Sequence, residues 1–237
     1  HAMPIFGVRG LNSGFDDADN LAWKLALVAR GVAGAALLDS YSSERIAAFH
    51  INAESAMRST EFMSPPSRGF DLLREAALSL SLEHRGIANL INPRQTQAVR
   101  YADSPLSSSS DDLGAGPPPG EAMPEQPLGE KGHLTDLIGP CFTVLVFSAG
   151  QAHPARSACA AEARKAAARG LPVQLHELEL SGSTQDAFAA LGALDGAVYL
   201  LRPDGHVAAR WRHPQPGLLL QAIGCAACAS ATVEEIA

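Results

Sequence analysis

The stretch His1–Leu27 reads HAMPIFGVRGLNSGFDDADNLAWKLAL and joins a glycine-bearing loop directly to a helical pattern. Leu21 and Leu25 are four residues apart, the spacing of one face of a helix. Because glycine and proline interrupt the residues before them, the pattern predicts a helix that begins after the loop, with Asn12 or Ser13 as its N-cap. Aspartates in its opening turns suit the positive end of the helix dipole.

Two glycines of this stretch, Gly10 and Gly14, have no Cβ. A flat or charged ligand can therefore approach the backbone closely beside them. The free N–H groups at the start of a helix form a site that suits negative charge. Together these features predict a ligand site at the N-terminal end of the first helix.

The sequence of this stretch resembles the last flavin-contacting motif of the FAD-dependent aromatic hydroxylases, the family of the para-hydroxybenzoate and phenol hydroxylases. In that family, Gly-Asp-Ala-Ala-His leads into a proline-containing loop, then Gly-Leu-Asn, then a helix close to Asp-Ala-x-Asn-Leu-Ala-Trp-Lys-Leu. Ile5 departs from the second proline that is common in the loop. The matching positions are His1, Pro4, Gly7, Gly10, Leu11, Asn12, Asp17, Ala18 and the run from Asn20 to Leu25.

The resemblance implies FAD as the cofactor, and it implies that the cofactor-binding residues are Pro4, Gly7, Gly10, Leu11 and Asn12. It also implies that the backbone N–H groups of Leu11 and Asn12 face the pyrimidine side of the flavin, where negative charge collects on reduction. The implied activity is hydroxylation of an aromatic or phenolic substrate with NAD(P)H as co-substrate and O₂, through a flavin C4a-hydroperoxide. The sequence singles out no catalytic residue and no metal site.

A turn of the type G-x-G-x-x-G, which normally holds a dinucleotide's pyrophosphate, follows no strand in these 237 residues. We therefore expect the C-terminal part of a longer flavoprotein monooxygenase, inactive on its own. The opening three residues could instead be a cloning scar. His1 continues the family pattern in register, which favours the first interpretation.

Composition excludes several classes of partner. The formal net charge is −7, from 18 Lys and Arg against 25 Asp and Glu, so neither nucleic acid nor an anionic membrane is expected to bind. No apolar run reaches the roughly 18 residues of a membrane span. Four cysteines in a chain of this size do not indicate a disulfide framework, which favours the cytoplasm. An aromatic small molecule is the expected partner, and a homodimer is possible.

The chain is expected to be an α/β protein with a mostly helical first part. Residues 1–102 are expected to be the C-terminal portion of the FAD-binding hydroxylase domain. Residues 103–127, rich in Ser, Gly, Pro and Asp, have the composition of a linker. Tyr41, Glu44 and Arg45 match the family's Tyr-x-x-Glu-Arg. A catalytic role for Arg45 is open, although an ordinary helix-surface ion pair with Glu44's turn or a neighbouring helix, which is usually weak, is favoured.

Residues 128–237 alternate strand and helix patterns in the order β-α-β-α-β-β-α, with a turn at 203–205 in the hairpin. This order resembles a thioredoxin fold, and residues 201–211 resemble the hairpin of the thioredoxin-like C-terminal domain of phenol-hydroxylase-type enzymes. The redox motif is missing, because residues 148–154 read SAGQAHP where a C-x-x-C is needed. Cys225-Ala-Ala-Cys228 has no second pair to complete a zinc site.

Two functions follow from these patterns. The chain is either part of an FAD-dependent aromatic monooxygenase or a redox-silent thioredoxin-like module for interaction or dimerisation, and one protein can combine the two. The first function requires that the full-length protein carries flavin, whereas the second alone requires only oligomerisation.

Overall fold

A computed structural model describes residues 9–87, 99–108, 110–150 and 153–229. Pro4 and Gly7, two of the expected cofactor-binding residues, lie outside the described residues. The chain divides into two compact units: the first unit is His1–Ala18 with Arg45–Val99, and the second unit is Asp19–Glu44 with Arg100–Ala237.

The helices of the first part of the chain include α1 Arg9–Ala29, α2 Ala36–Met63 and α3 Arg68–Ser81. The predicted caps at Asn12 and Ser13 are wrong, since both residues lie inside α1. A glycine in a helix costs only about 1 kcal/mol relative to alanine, so two glycines do not stop this one. α3 begins at a true cap, where the Ser67 hydroxyl accepts from the Phe70 N–H, 3.5 Å away.

The buried face of α1 does not include Leu25. Leu25 is 47% exposed, while Asn20, Trp23, Lys24 and Leu27 are buried. These four residues follow the i, i+3, i+4, i+7 spacing of one helical face. The core-facing side of the second half of α1 therefore combines two polar side chains with two apolar ones.

The second unit contains a four-stranded sheet whose order is β2-β1-β3-β4. β1 pairs parallel with β2 and antiparallel with β3, and β3 and β4 form an antiparallel hairpin. This element order confirms the predicted β-α-β-α-β-β-α. The elements are β1 Phe142–Ser148, α4 Pro154–Ala168, β2 Val173–Glu179, α5 Gln185–Leu191, β3 Val198–Leu201, β4 Val207–Trp211 and α6 Leu218–Ala226.

Alternate residues of β1 supply two cores, one on each face of the sheet. Val144 and Val146 belong to a cluster that includes residues of α1, α4 and α6. Leu145 and Phe147 belong to a second cluster, with residues of α5. Every residue of β1 is buried, as expected of a strand covered on both faces. The second half of α1 is thus part of the core of the second unit.

The segment 103–127 packs within the second unit along much of its length. Leu106 and Leu113 are buried, and the Ser108 N–H donates to the Ala208 carbonyl oxygen in β4, 2.9 Å away. Its role as a boundary between domains stays a prediction. Within the described ranges, none of the helices combines the length and the apolar character that a membrane span requires.

Candidate functional site

The N-terminal turn of α1 contains three of the residues that the sequence assigns to a ligand. Gly10, Leu11 and Asn12 are all exposed there, Leu11 to 68%. The helix dipole adds partial positive charge at this end of the helix. A Cβ built on Gly14 would meet no atom of the described residues within 4 Å.

Arg45, in the same unit, forms hydrogen bonds with the opening turns of α1. The Arg45 side chain is 3% exposed; its Nε donates to Asp17 Oδ1, 2.6 Å away, and its Nη2 donates to the Ser13 carbonyl oxygen, 3.4 Å away. Asp16 adds a longer contact of 3.7 Å. The predicted ion pair of Arg45 with a neighbouring helix is confirmed, but its predicted location on the helix surface is wrong, because the guanidinium is buried. Its partners join α2 to the opening turns of α1.

Four charged side chains of the second unit, Lys24, Glu44, Arg202 and Asp204, are buried against one another, and we call them the ionic cluster. Glu44 accepts from Lys24 Nζ at 2.8 Å and from Arg202 Nη1 and Nη2 at 2.6 and 3.0 Å. Asp204 accepts from Arg202 Nε at 3.0 Å and also from Nη2. All four side chains are at most 2% exposed. Two positive and two negative charges therefore balance out of contact with solvent.

Neutral donors complete the coordination of both carboxylates. Asn20 Nδ2 donates to Glu44 Oε2 at 2.8 Å and to Asp204 Oδ2 at 3.1 Å. Trp23 Nε1 donates to Asp204 Oδ2 at 3.1 Å. The Ser104 hydroxyl donates to Glu44 Oε1 at 2.5 Å. Buried charges are tolerated when they are both paired and hydrogen-bonded, and the two carboxylates meet both conditions.

The pKa values follow from this geometry. Burial raises the pKa of Glu44, but the charges and hydrogen bonds of Arg202 and Lys24 outweigh burial and hold the pKa at about 2, against 4.5 ordinarily. Asp204 behaves in the same way, and Arg202 keeps the pKa of its carboxyl far below the usual range. Burial lowers the pKa of Lys24, which Glu44 only partly offsets. Both carboxyls are ionised at neutral pH.

Sequence reasoning missed the ionic cluster, although it quoted several of its members. Lys24 and Glu44 were matched only as parts of flavoprotein motifs, and Arg202 and Asp204 only as parts of a hairpin. One signal was available, namely the amide and the ammonium that share a helical face with Trp23. Polar residues on a face that also carries core residues indicate a buried network.

The N-terminal part of the chain, residues 1–55, matches the family model described as an FAD binding domain. The chain is 34% identical over 220 residues to the tetracenomycin A2 monooxygenase-dioxygenase of Streptomyces glaucescens, covering 90% of this chain and 36% of that protein. It is 31% identical over 230 residues to the 4-methyl-5-nitrocatechol 5-monooxygenase of a Burkholderia species, covering 90% of this chain and 38% of that protein. The chain thus spans little over a third of these relatives.

The fold is similar to that of the rebeccamycin biosynthetic enzyme RebC with reduced flavin, with a TM-score of 0.71 at 26% identity. The similarity covers 97% of this chain and 43% of RebC. The family match and the named monooxygenases confirm the resemblance of the first part of the chain to FAD-binding monooxygenases, and FAD is the cofactor of the matched family. The resemblance of residues 128–237 to a thioredoxin-like domain stays a prediction. The exposed turn Gly10–Asn12 lies within the matched segment, residues 1–55.

Proposed function

We propose that this chain is part of an FAD-dependent monooxygenase that hydroxylates an aromatic or phenolic small molecule, with NAD(P)H and O₂ as co-substrates. One observation carries the proposal: the exposed turn Gly10–Asn12 opens a 21-residue helix within the stretch that matches an FAD-binding domain. When bound, FAD supplies the redox and oxygen-transfer chemistry. The chain's own residues bind and orient it.

The N–H groups of Leu11 and Asn12 are the proposed donors to the pyrimidine edge of the flavin. A helix N-terminus stabilises a nearby negative charge by about 0.3–1 kcal/mol, and by up to about 2 kcal/mol where it is partly buried. Gly10 and Gly14 leave room for a flat ring to approach the backbone. Pro4 and Gly7 belong to the same proposed site through the family motif.

Names of relatives support the aromatic substrate class. The Burkholderia relative is named for a nitrocatechol, which is a phenolic ring. The charge of −7 on this chain favours neither nucleic acid nor an anionic membrane as a partner. An electron-rich aromatic small molecule is therefore the substrate class that we assign to the whole protein.

The test uses the full-length gene product. We expect yellow protein with a flavin absorption spectrum, and oxidation of NADH or NADPH that a panel of phenols accelerates. Mass spectrometry should find a phenolic product that has gained one oxygen atom. Colourless protein that takes up no FAD on reconstitution would contradict the proposal.

A second proposed function, a redox-silent thioredoxin-like module in residues 128–237, rests on the sheet order β2-β1-β3-β4 with its terminal hairpin. The connection from β1 to α4, where a thioredoxin has its cysteine pair, has no cysteine. Cys159 is buried in α4, and burial raises its pKa to about 11, which makes it a poor nucleophile. The proposed role is support of the hydroxylase or a homodimer contact. Light scattering on the full-length protein tests the dimer, and a monomer would exclude that contact.

A further inference from the structure

The two edges of the four-stranded sheet are protected differently. At the β4 edge the segment 103–127 covers the strand: the Gly120 N–H donates to the Val207 carbonyl oxygen at 2.8 Å, and the Asp111 N–H donates to the Arg210 carbonyl oxygen at 3.0 Å. At the β2 edge, among the residues that the structure describes, only β1 pairs with the strand through main-chain hydrogen bonds. An edge of this second kind can pair with a strand of another chain.

Two hydrogen bonds at the ends of the β1–β2 ladder fix the direction of the main-chain groups of β2. The Phe142 N–H donates to the Pro172 carbonyl oxygen at 2.9 Å, and the Leu180 N–H donates to the Ser148 carbonyl oxygen at 2.8 Å. Successive residues of a strand point their N–H and C=O groups to opposite sides. The even-numbered residues of β2 therefore bond to β1, whereas the main-chain groups of the odd-numbered residues from Val173 to Glu179 point away from the sheet.

β2 has few of the features that keep an edge strand from pairing. Such features include prolines, lysines and bulges, whereas Val173–Glu179 reads VQLHELE and pairs with β1 in continuous register. One of its two carboxylates is incompletely bonded: Glu177 Oε2 is 3.0 Å from Arg156 Nε, while the buried Oε1 has no partner within the described ranges. The Glu179 carbonyl oxygen accepts from the Thr184 hydroxyl at 2.7 Å, which leaves its N–H to face outward.

The sequence of β2 fits an antiparallel copy of itself in one register. With His176 opposite the partner's His176, all seven residues pair. Glu177 then faces the partner's Leu175, and Glu179 faces the partner's Val173. The odd-numbered residues form the hydrogen-bonded pairs, and these are the residues whose main-chain groups point outward. Centring the pairing on Glu177 would place two glutamates directly opposite each other, which is destabilising.

We propose that β2 is an interface with a second copy of this chain, in which the two β2 strands pair antiparallel and extend the sheet across the dimer. The proposal deepens the homodimer contact proposed above and rests on it. The paired odd-numbered residues would exchange about eight main-chain hydrogen bonds. A copy of β2 is the favoured occupant of this edge because it supplies the same row of outward groups and places no glutamate opposite a glutamate.

The first test is a cross-link in the full-length protein. His176→Cys places two thiols opposite each other at a non-hydrogen-bonded pair, where the Cα atoms are about 4.5 Å apart, a distance that a disulfide can span. Gln174→Cys is the matched control, because it lies on the same face of β2 but would be about 13 Å from its copy, at about 3.3 Å per residue. Both variants also carry Cys225→Ser, which removes the exposed native thiol, and are oxidised with copper phenanthroline.

The second test removes a main-chain donor from the β2 edge. Glu177→Pro deletes an outward N–H and leaves the ladder with β1 intact, and proline is tolerated at such positions of edge strands. Glu177→Ala loses the same carboxylate but keeps the N–H. Sedimentation velocity at several concentrations measures the dimer dissociation constant, and circular dichroism checks the fold. We expect a wild-type dimer, a dissociation constant raised by about tenfold or more in Glu177→Pro, and a change of less than about threefold in Glu177→Ala.

A disulfide-linked dimer from His176→Cys, but not from Gln174→Cys, is the result that supports the proposal. If the wild type is a dimer but neither cysteine variant cross-links, or if the proline and alanine variants dissociate equally, the dimer contact stands and its assignment to β2 is overturned. A monomeric wild type overturns both. If Glu177→Pro does not fold, the cross-link comparison decides alone. Flavin content of the same samples tests the hydroxylase function separately.

Discussion

Glu44 and Arg202 are 158 residues apart in the chain and form a two-pronged ion pair, with Oε1 and Oε2 at 2.6 and 3.0 Å from Nη1 and Nη2. Both side chains are 1% exposed. Such a pair contributes little net stability when it is intact. Replacing one of its two residues by a neutral one is strongly destabilising, because the remaining charge stays buried without a partner. This asymmetry determines how the protein should respond to mutation.

Glu44→Gln should reduce the free energy of unfolding of the second unit by about 3–5 kcal/mol, since Lys24 and Arg202 are left without their shared carboxylate. Both tryptophans of the chain, Trp23 and Trp211, lie in this unit, so chemical denaturation followed by tryptophan fluorescence measures the loss.

Glu54→Gln is the control for this change. Glu54 pairs with Arg58 at 2.6 Å, but the two side chains are 62% and 75% exposed, and such surface pairs contribute only about 0–1 kcal/mol. A loss below about 1 kcal/mol for Glu44→Gln would show that the buried pair is dispensable.

Acid should destabilise the wild-type protein through the same carboxylate. Because the folded pKa of Glu44, about 2, lies below the ordinary 4.5, its stabilisation is complete above pH 4.5 and is lost as the pH falls towards 2. The stability advantage of the wild type over Glu44→Gln should therefore shrink by about 3 kcal/mol across this window, at about 1.4 kcal/mol per pH unit. Denaturation curves at several pH values measure the difference. If the stability advantage of the wild type did not change with pH, Arg202 and Lys24 would not lower the pKa of Glu44.

Leu11→Pro in the full-length protein should weaken FAD binding, because proline removes the N–H that the flavin site is proposed to use and yet is tolerated in the first turn of a helix. Leu11→Ala keeps that N–H and removes only a side chain that is 68% exposed, so it should bind FAD like the wild type. Fluorescence titration of the apoprotein with FAD compares the two. Equal affinities of both variants would exclude a role for this donor.

Disulfide reductase activity should be absent from the C-terminal part of the chain, because residues 148–154 contain no cysteine and Cys159 is buried with a raised pKa. Insulin reduction with dithiothreitol should proceed at the rate of the uncatalysed reaction. Cys225→Ser is the control for the exposed cysteine of the terminal pair. Turnover that this variant abolishes would show that Cys225 and Cys228 form a working redox pair.

Local patterns were sufficient to predict the elements of the second unit. The apolar run at 142–147 reads as a buried strand, and the Pro-Asp-Gly turn at 203–205 reads as a hairpin. Both predictions are confirmed, because the hydrophobic period and turn chemistry depend only on neighbouring residues. The resemblance to flavoprotein hydroxylases came from the same kind of local information, in the residues before Leu27.

Only the tertiary structure decided which side of α1 is buried. Leu25, which follows the apolar periodicity of this helix, is 47% exposed, whereas Trp23 and Lys24 are buried. A lysine belongs in a core only when a carboxylate meets it there, and Glu44 lies 20 residues further along, on another helix. Arg202 lies 158 residues from that glutamate, and no local pattern connects positions so distant. The sequence alone determined the elements and the family resemblance, whereas charge pairing across the fold determined how α1 is held.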